Sequence, residues 1–154
     1  MKVRIEGLRA LETALSKLDA QIAKNTTKRA LKKAAQPLLQ EIKQNAPVQK
    51  GILRKNLAIG TKLTRRQQRL AGKKNKRTVE IYVGATGLPH AHLVEFGHDV
   101  TFGGKTYYIP PNPFARPAWD KLKMQTLETI KETLSSEIIK SAKRAAKRAA
   151  KRKK

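Results

Sequence analysis

The chain has 154 residues, with 35 lysines and arginines against 11 aspartates and glutamates, a formal net charge of +24 and no cysteine. Its length suits one domain with a real core, and folding should bury roughly two-thirds of the unfolded surface. Disulfides, thiolate metal sites and cysteine nucleophiles are excluded; no run reaches the ~18 apolar residues of a membrane span, and Met1–Glu6 lacks the apolar centre of a secretion signal.

Lys2–Glu6 alternates, with Val3 and Ile5 on one face, and predicts a short strand ended by Gly7. Leu8, Leu11, Leu15, Leu18 and Ile22 then recur at helical spacing, the stripe of a first amphipathic helix. Asn25, Thr26 and Thr27 offer capping oxygens, so a break is predicted there. A second helix uses Ala30, Leu31, Ala34, Leu38 and Ile42, kinked near Pro37, which lacks a backbone donor. It stops at Asn45-Ala46-Pro47, because the residue before proline avoids helical geometry.

Gly51 to Gly60 reads as a turn followed by a strand over Leu53–Leu63. The basic stretch 62–77, with Gly72 and Asn75 and few apolar groups, predicts an exposed hairpin loop. Thr78–Val83 alternates and should return antiparallel to the preceding strand. Pro89 and Ala91–Phe96 suit a short helix closed by Gly97, and Thr101–Ile109 a hairpin around Gly103-Gly104. A last helix, entered through Pro113 and Pro117, lines up Trp119, Leu122, Leu127, Ile130, Leu134, Ile138 and Ala142. The fold class expected is therefore α+β, with residues 1–139 as one domain and 140–154 as a basic helical tail.

The positive charge is concentrated. Lys62, Arg65, Arg66, Arg69, Lys73, Lys74, Lys76 and Arg77 occupy one stretch without an acid. Lys140, Lys143, Arg144, Lys147, Arg148, Lys151, Arg152, Lys153 and Lys154 occupy another, also without an acid, which leaves only +7 for the rest of the chain. Two such patches are the footprint of a polyanion contact, with a solvated tail that aids solubility as the alternative. Neither patch contains an aromatic residue, so contact with the phosphate backbone of double-stranded DNA is expected rather than base readout. Like charges spaced i,i+4 along the tail favour fraying unless something neutralises them.

No catalytic constellation emerges: there is no Ser-His-Asp order, glycine-rich phosphate loop or carboxylate pair. His90 and His92 would stand about 200° apart on a helix, so a metal site with Glu95 and His98 is not expected, nor is any cofactor. Glu95 should instead act as a cap or pair with Arg116. The seven aromatics (Tyr82, Phe96, Phe102, Tyr107, Tyr108, Phe114 and Trp119) gather in the apolar centre of the chain and read as core, with Phe114 and Trp119 docking the last helix onto the sheet.

The order Asn45-Ala-Pro47, Gly51-x-Leu53-Arg54, Val79–Gly84, Ala91-His-Leu-Val-Glu95-Phe96-Gly97 and Pro113-Phe114-Ala-Arg116-Pro117-Ala-Trp119 resembles the minor tail-component family of long-tailed double-stranded DNA phages. These are head–tail joining or tail completion proteins, similar in role to protein Z of the lambda tail. The resemblance extends from the first helix to about Glu137, and the family pattern does not require the basic end after Lys140. It implies long helices against a small antiparallel sheet and copies assembled as a ring, a hexamer in expectation, at the head–tail junction. It also implies a non-enzymatic virion protein that assembles in the host cytoplasm and contacts neighbouring neck and tail proteins. A tail terminator is the alternative within the particle. A non-sequence-specific nucleic-acid-binding protein outside the virion is the alternative suggested by charge alone.

Overall fold

A computed structural model describes residues 8–48, 51–72 and 78–152. The strand expected over Lys2–Glu6 lies outside the described residues, as do Lys73, Lys74, Lys76 and Arg77.

One helix organises the molecule: α7 (Ala115–Arg152), about 57 Å long at 1.5 Å per residue. Three helices pack along it, α1 (Leu8–Ser16), α2 (Ala20–Ala34) and α3 (Gln36–Asn45). Cross-links along the seam show that α2 and α3 run antiparallel to α7: Thr26 meets Ser141, Arg29 meets Glu137, Ala30 meets Thr133, Glu41 meets Lys121 and Asn45 meets Phe114.

The helix break expected at Asn25-Thr26-Thr27 falls earlier instead. The Asp19 carboxylate accepts from the backbone of Gln21 and Ile22 and caps α2, which then runs through Thr26 and Thr27. The two threonines are accommodated in the helix because their hydroxyls are satisfied there: Thr27 donates to the Ala23 carbonyl, and Thr26 meets the Ser141 hydroxyl across the interface. In place of the kink expected near Pro37 the helix divides: α2 ends at Ala34 and α3 starts just after Ala35, with the proline in its first turn. The stop at Asn45-Ala46-Pro47 is present.

The strand expected over Leu53–Leu63 is mostly not a strand. Gly51, at φ +66°, opens a short helix α4 (Ile52–Asn56), and only β1 (Leu57–Gly60) is extended. Local bonds explain the difference: the Lys55 N–H donates to the Gly51 carbonyl, and the Asn56 amide to that of Ile52. The loop expected over 62–77 contains a helix too, α5 (Arg65–Ala71). Thr64 and Gln67 form a reciprocal capping box that nucleates it, a signal overlooked among the charges.

β1 pairs antiparallel with β2 (Tyr82–Ala85), from Leu57 opposite Ala85 to Gly60 opposite Tyr82. After α6 (Ala91–Phe96), β3 (His98–Phe102) and β4 (Lys105–Ile109) form the hairpin expected around Gly103-Gly104. The architecture is α+β, with the antiparallel sheet divided into two separate pairs.

The core sits where α3, β1 and the start of α7 converge: Leu38, Leu39, Ile42, Ala46, Leu57, Phe114 and Ala118 are buried, with Leu53, Ile59, Val83, Val94 and Leu122 packed around them. Two residues of the expected α7 stripe are misplaced. Trp119 is 51% exposed and Ala142 is exposed, while Ala118, Thr126, Glu137, Ile138 and Ser141 take the inner face.

Candidate functional site

Two of the motifs in the sequence, Ala91–Gly97 and Pro113–Trp119, meet in a junction at the start of α7. The first turn of any helix leaves four backbone positions without an intrahelical acceptor, and its positive dipole end favours an anion. Here those positions are Phe114, Ala115, Arg116 and Pro117. Glu95, at the end of α6, reaches across to them: one carboxylate oxygen accepts from the N–H of Phe114 and of Ala115, the other from that of Arg116, all at 2.9 Å. The fourth position is proline, which has no N–H to satisfy. Every orphan position is thus filled or absent by design of the sequence.

Burial alone would raise the Glu95 carboxyl. The three backbone donors and the nearby Arg116 charge outweigh it and hold the group below its ordinary value. Arg116 has a second contact, with its guanidinium 5.2 Å from the centre of the Phe96 ring. Gly97 completes the junction at φ +74°; a Cβ there would lie 2.7 Å from the Ile109 carbonyl oxygen and 2.9 Å from the Pro111 nitrogen. No other residue lets the end of the hairpin return so closely. The Asn112 N–H closes the loop by donating to the Val94 carbonyl. Leu53 packs on the same core from α4, Gly51 opens that helix, and Pro47 follows the end of α3. These motif residues therefore form a structural joint.

The basic residues lie elsewhere. Lys62, Arg65 and Arg69 line a cleft of about 810 Å³ together with Gln68, Glu80 and Tyr82, where the tyrosine hydroxyl donates to the Glu80 carboxylate. Arg66 is exposed on the same helix. Lys143, Arg144 and Lys147 are exposed on the last turns of α7. The side chains of Arg148, Lys151 and Arg152 lie outside what is described. The helix itself continues unbroken to Arg152, so the tail and the body share one element.

His90 and His92 are exposed, and the Nδ1 of His98 is buried without a hydrogen-bond partner. Among the described residues no group of three His, Cys, Asp or Glu side chains could hold a metal ion, and no described helix is long and apolar enough to cross a membrane.

The aromatic residues contradict the core reading. Phe114 is buried, but Phe96 is 59% exposed, Phe102 80%, Tyr107 54%, Tyr108 65% and Trp119 51%. For Phe102, Tyr107 and Tyr108 the reason is that β3 and β4 pack chiefly on each other, away from the helical core. Pairing places Val100 opposite Tyr107 and Phe102 opposite Lys105. Since alternate residues share a face, Val100, Phe102, Tyr107 and Ile109 lie on one surface together with His98 and Lys105, and Asp99, Thr101, Thr106 and Tyr108 on the opposite one. That alternation was legible in the sequence and would have found this surface.

The family model of bacteriophage HK97-gp10-like tail components matches residues 9–97 of the chain, more than half of its length. The matched span runs from α1 to Gly97 and ends before the hairpin and α7. No curated protein and no solved structure matches.

Proposed function

The chain belongs to the bacteriophage HK97-gp10-like family of tail components, and from that premise we propose that it is a structural protein of the neck or tail top, acting in head–tail joining or tail completion as one subunit of a ring around the DNA channel. The observation that carries the finer reading is the form of α7. A helix held to the body as far as Ser141 continues to Arg152 with Lys143, Arg144 and Lys147 exposed and no acid after Glu137. Such an arm presents cations at a fixed spacing to a duplex backbone, a contact that requires no base readout. The cleft lined by Lys62, Arg65 and Arg69 adds a second cationic surface. Like charges of neighbouring subunits repel, so DNA or acidic neighbours in the particle would stabilise the assembled state. The role is structural, with the virion as its location and a sixfold ring as the expected assembly.

Cryo-electron microscopy of purified particles tests this reading. The expected result is several copies arranged as a ring between head and tail, with the ends of α7 directed inward. A protein located at the distal tail, or absent from particles, would overturn it.

A further inference from the structure

The contact between α2 and α7 has an outer edge, and that edge is cationic. Arg29 is fixed there: its Nε donates to Glu137 and its Nη2 to the hydroxyls of Thr26 and Ser141. Its Nη1, which carries two more N–H groups, has no partner among the described residues, and the side chain is 43% exposed. Lys33 meets the other Glu137 oxygen with one of its three N–H groups and is 54% exposed.

The end of α7 continues the same edge. At 100° per residue, Glu137, Lys140, Arg144 and Lys147 fall within about 80° of one another around the helix. Ile138, Ala142 and Ala145 turn instead towards α1. Lys140, Arg144 and Lys147 are exposed, and none pairs with another described residue. Glu137 is the last acid of the chain, is 3% exposed and is already engaged by Arg29 and Lys33. Five cations thus share an edge about 15 Å long with one neutralised acid.

A duplex presents a phosphate about every 1.7 Å of its axis, so an edge of this length meets several. A protein partner would need an apolar centre to its interface, and the exposed Ile139 lies about 160° round α7 from Glu137. Holding the Arg29 guanidinium in advance also reduces the freedom lost on binding.

We propose that duplex DNA lies along this edge, so that Arg29 and Lys33 of the body contact its phosphates together with Lys140, Arg144 and Lys147. The inference rests on the DNA-facing reading of α7 above and gives that contact its face and its inner end. Phosphate contact then starts on the folded body, at the seam that sets the register of α7.

Brief acetylation of lysines in the full-length protein, with and without mixed-sequence duplex and read by mass spectrometry, tests the face. Lys33, Lys140 and Lys147 should be protected by duplex, while Lys24 and Lys28, turned away from the edge on α2, should react as in free protein. A second measurement compares two double variants of equal charge. Lys33→Gln with Lys140→Gln should make the slope of log K against log salt shallower by about 1.8, at about −0.9 per phosphate. Lys24→Gln with Lys28→Gln should leave the slope of the parent. Arg29 still pairs with Glu137 in the first variant, so the seam is kept. Equal protection of the two lysine sets, or equal slopes for the two variants, would overturn the proposal. Protection of Lys33 and Lys140 in DNA-free particles but not by duplex would assign the edge to an acidic neighbouring protein and also overturn it. If the parent still binds duplex in a salt-dependent way after such a result, the DNA reading of α7 survives without this edge. A parent that shows no salt-dependent duplex binding would remove that reading as well.

Discussion

The hydroxyls of Thr26 and Ser141 lie 2.7 Å apart at a helix crossing where both residues are almost completely buried. Around this bond α2 and α7 are joined by a polar seam. Arg29 donates to both hydroxyls and, through Nε, to one oxygen of Glu137, while Lys33 Nζ lies 2.6 Å from the other oxygen. Ala30 and Ala34 are fully buried beside it and let the helices approach closely. The seam fixes the register of the long helix, and through it the direction of the basic arm.

The first prediction concerns this seam. Lys33 and then Arg29, hydrogen-bonded to the Glu137 carboxylate, hold it at a pKa of about 2 against an ordinary 4.5. A carboxyl depressed in the folded state contributes stability above its unfolded pKa and loses it as pH falls through the folded one. Stability should therefore decline from about pH 4.5 towards pH 2, and Glu137→Gln should flatten that decline. At neutral pH Glu137→Ala should cost about 2–3 kcal/mol, below the ~3–5 for breaking a fully buried pair, because Arg29 and Lys33 are about half exposed. Urea unfolding across pH measures both, and parallel curves for parent and Glu137→Gln would contradict the assignment.

The second prediction concerns the junction. Glu95→Ala leaves three backbone donors at the start of α7 without their acceptor. Loss of a helix N-cap typically costs about 0.5–2 kcal/mol, and the upper end is expected for a carboxylate with three donors. Amide exchange at Phe114, Ala115 and Arg116 should accelerate in the variant. Gly97→Ala should cost more, since the added Cβ meets backbone atoms at 2.7 and 2.9 Å. Unchanged exchange and unfolding in Glu95→Ala would remove the joint from the account.

The third prediction separates the two aromatic residues once paired as core. Phe114 is 4% exposed and Trp119 51%. Phe114→Ala should cost about 3–5 kcal/mol, whereas Trp119→Ala should cost less than about 1. Equal losses on thermal unfolding would show that Trp119 supports the fold after all.

The sequence carried the long helices packed on α7, the short helix α6, the hairpin and the stop before Pro47, because those depend on local periodicity and on proline and glycine geometry. It misplaced the first break, since Asn25-Thr26-Thr27 looks like a cap until Ser141, over a hundred residues away, supplies a partner for Thr26. It missed α5 because charge density at 62–77 hid the Thr64–Gln67 capping box. The role of Glu95 was half legible. A cap or an Arg116 partner was anticipated, but only the fold shows one carboxylate serving Phe114, Ala115 and Arg116 together. The aromatic residues were misread for a different reason: clustering in sequence implies nearness, not burial, and for Phe102, Tyr107 and Tyr108 a hairpin that packs on itself keeps its side chains in water.

The most direct test of the central claim is a salt titration of duplex DNA affinity, with the intact chain and a variant lacking Lys143–Lys154, preferably as assembled rings. The truncation keeps Glu137, Ile138 and Ser141, so the seam with α2 survives. Each neutralised duplex phosphate adds about −0.9 to the slope of log K against log salt. About six engaged charges would weaken binding by about a thousandfold between 50 and 200 mM salt. Affinity should be the same for unrelated DNA sequences, and the truncated protein should give a clearly shallower slope. Identical slopes for the two proteins would contradict a DNA-facing role for the end of α7.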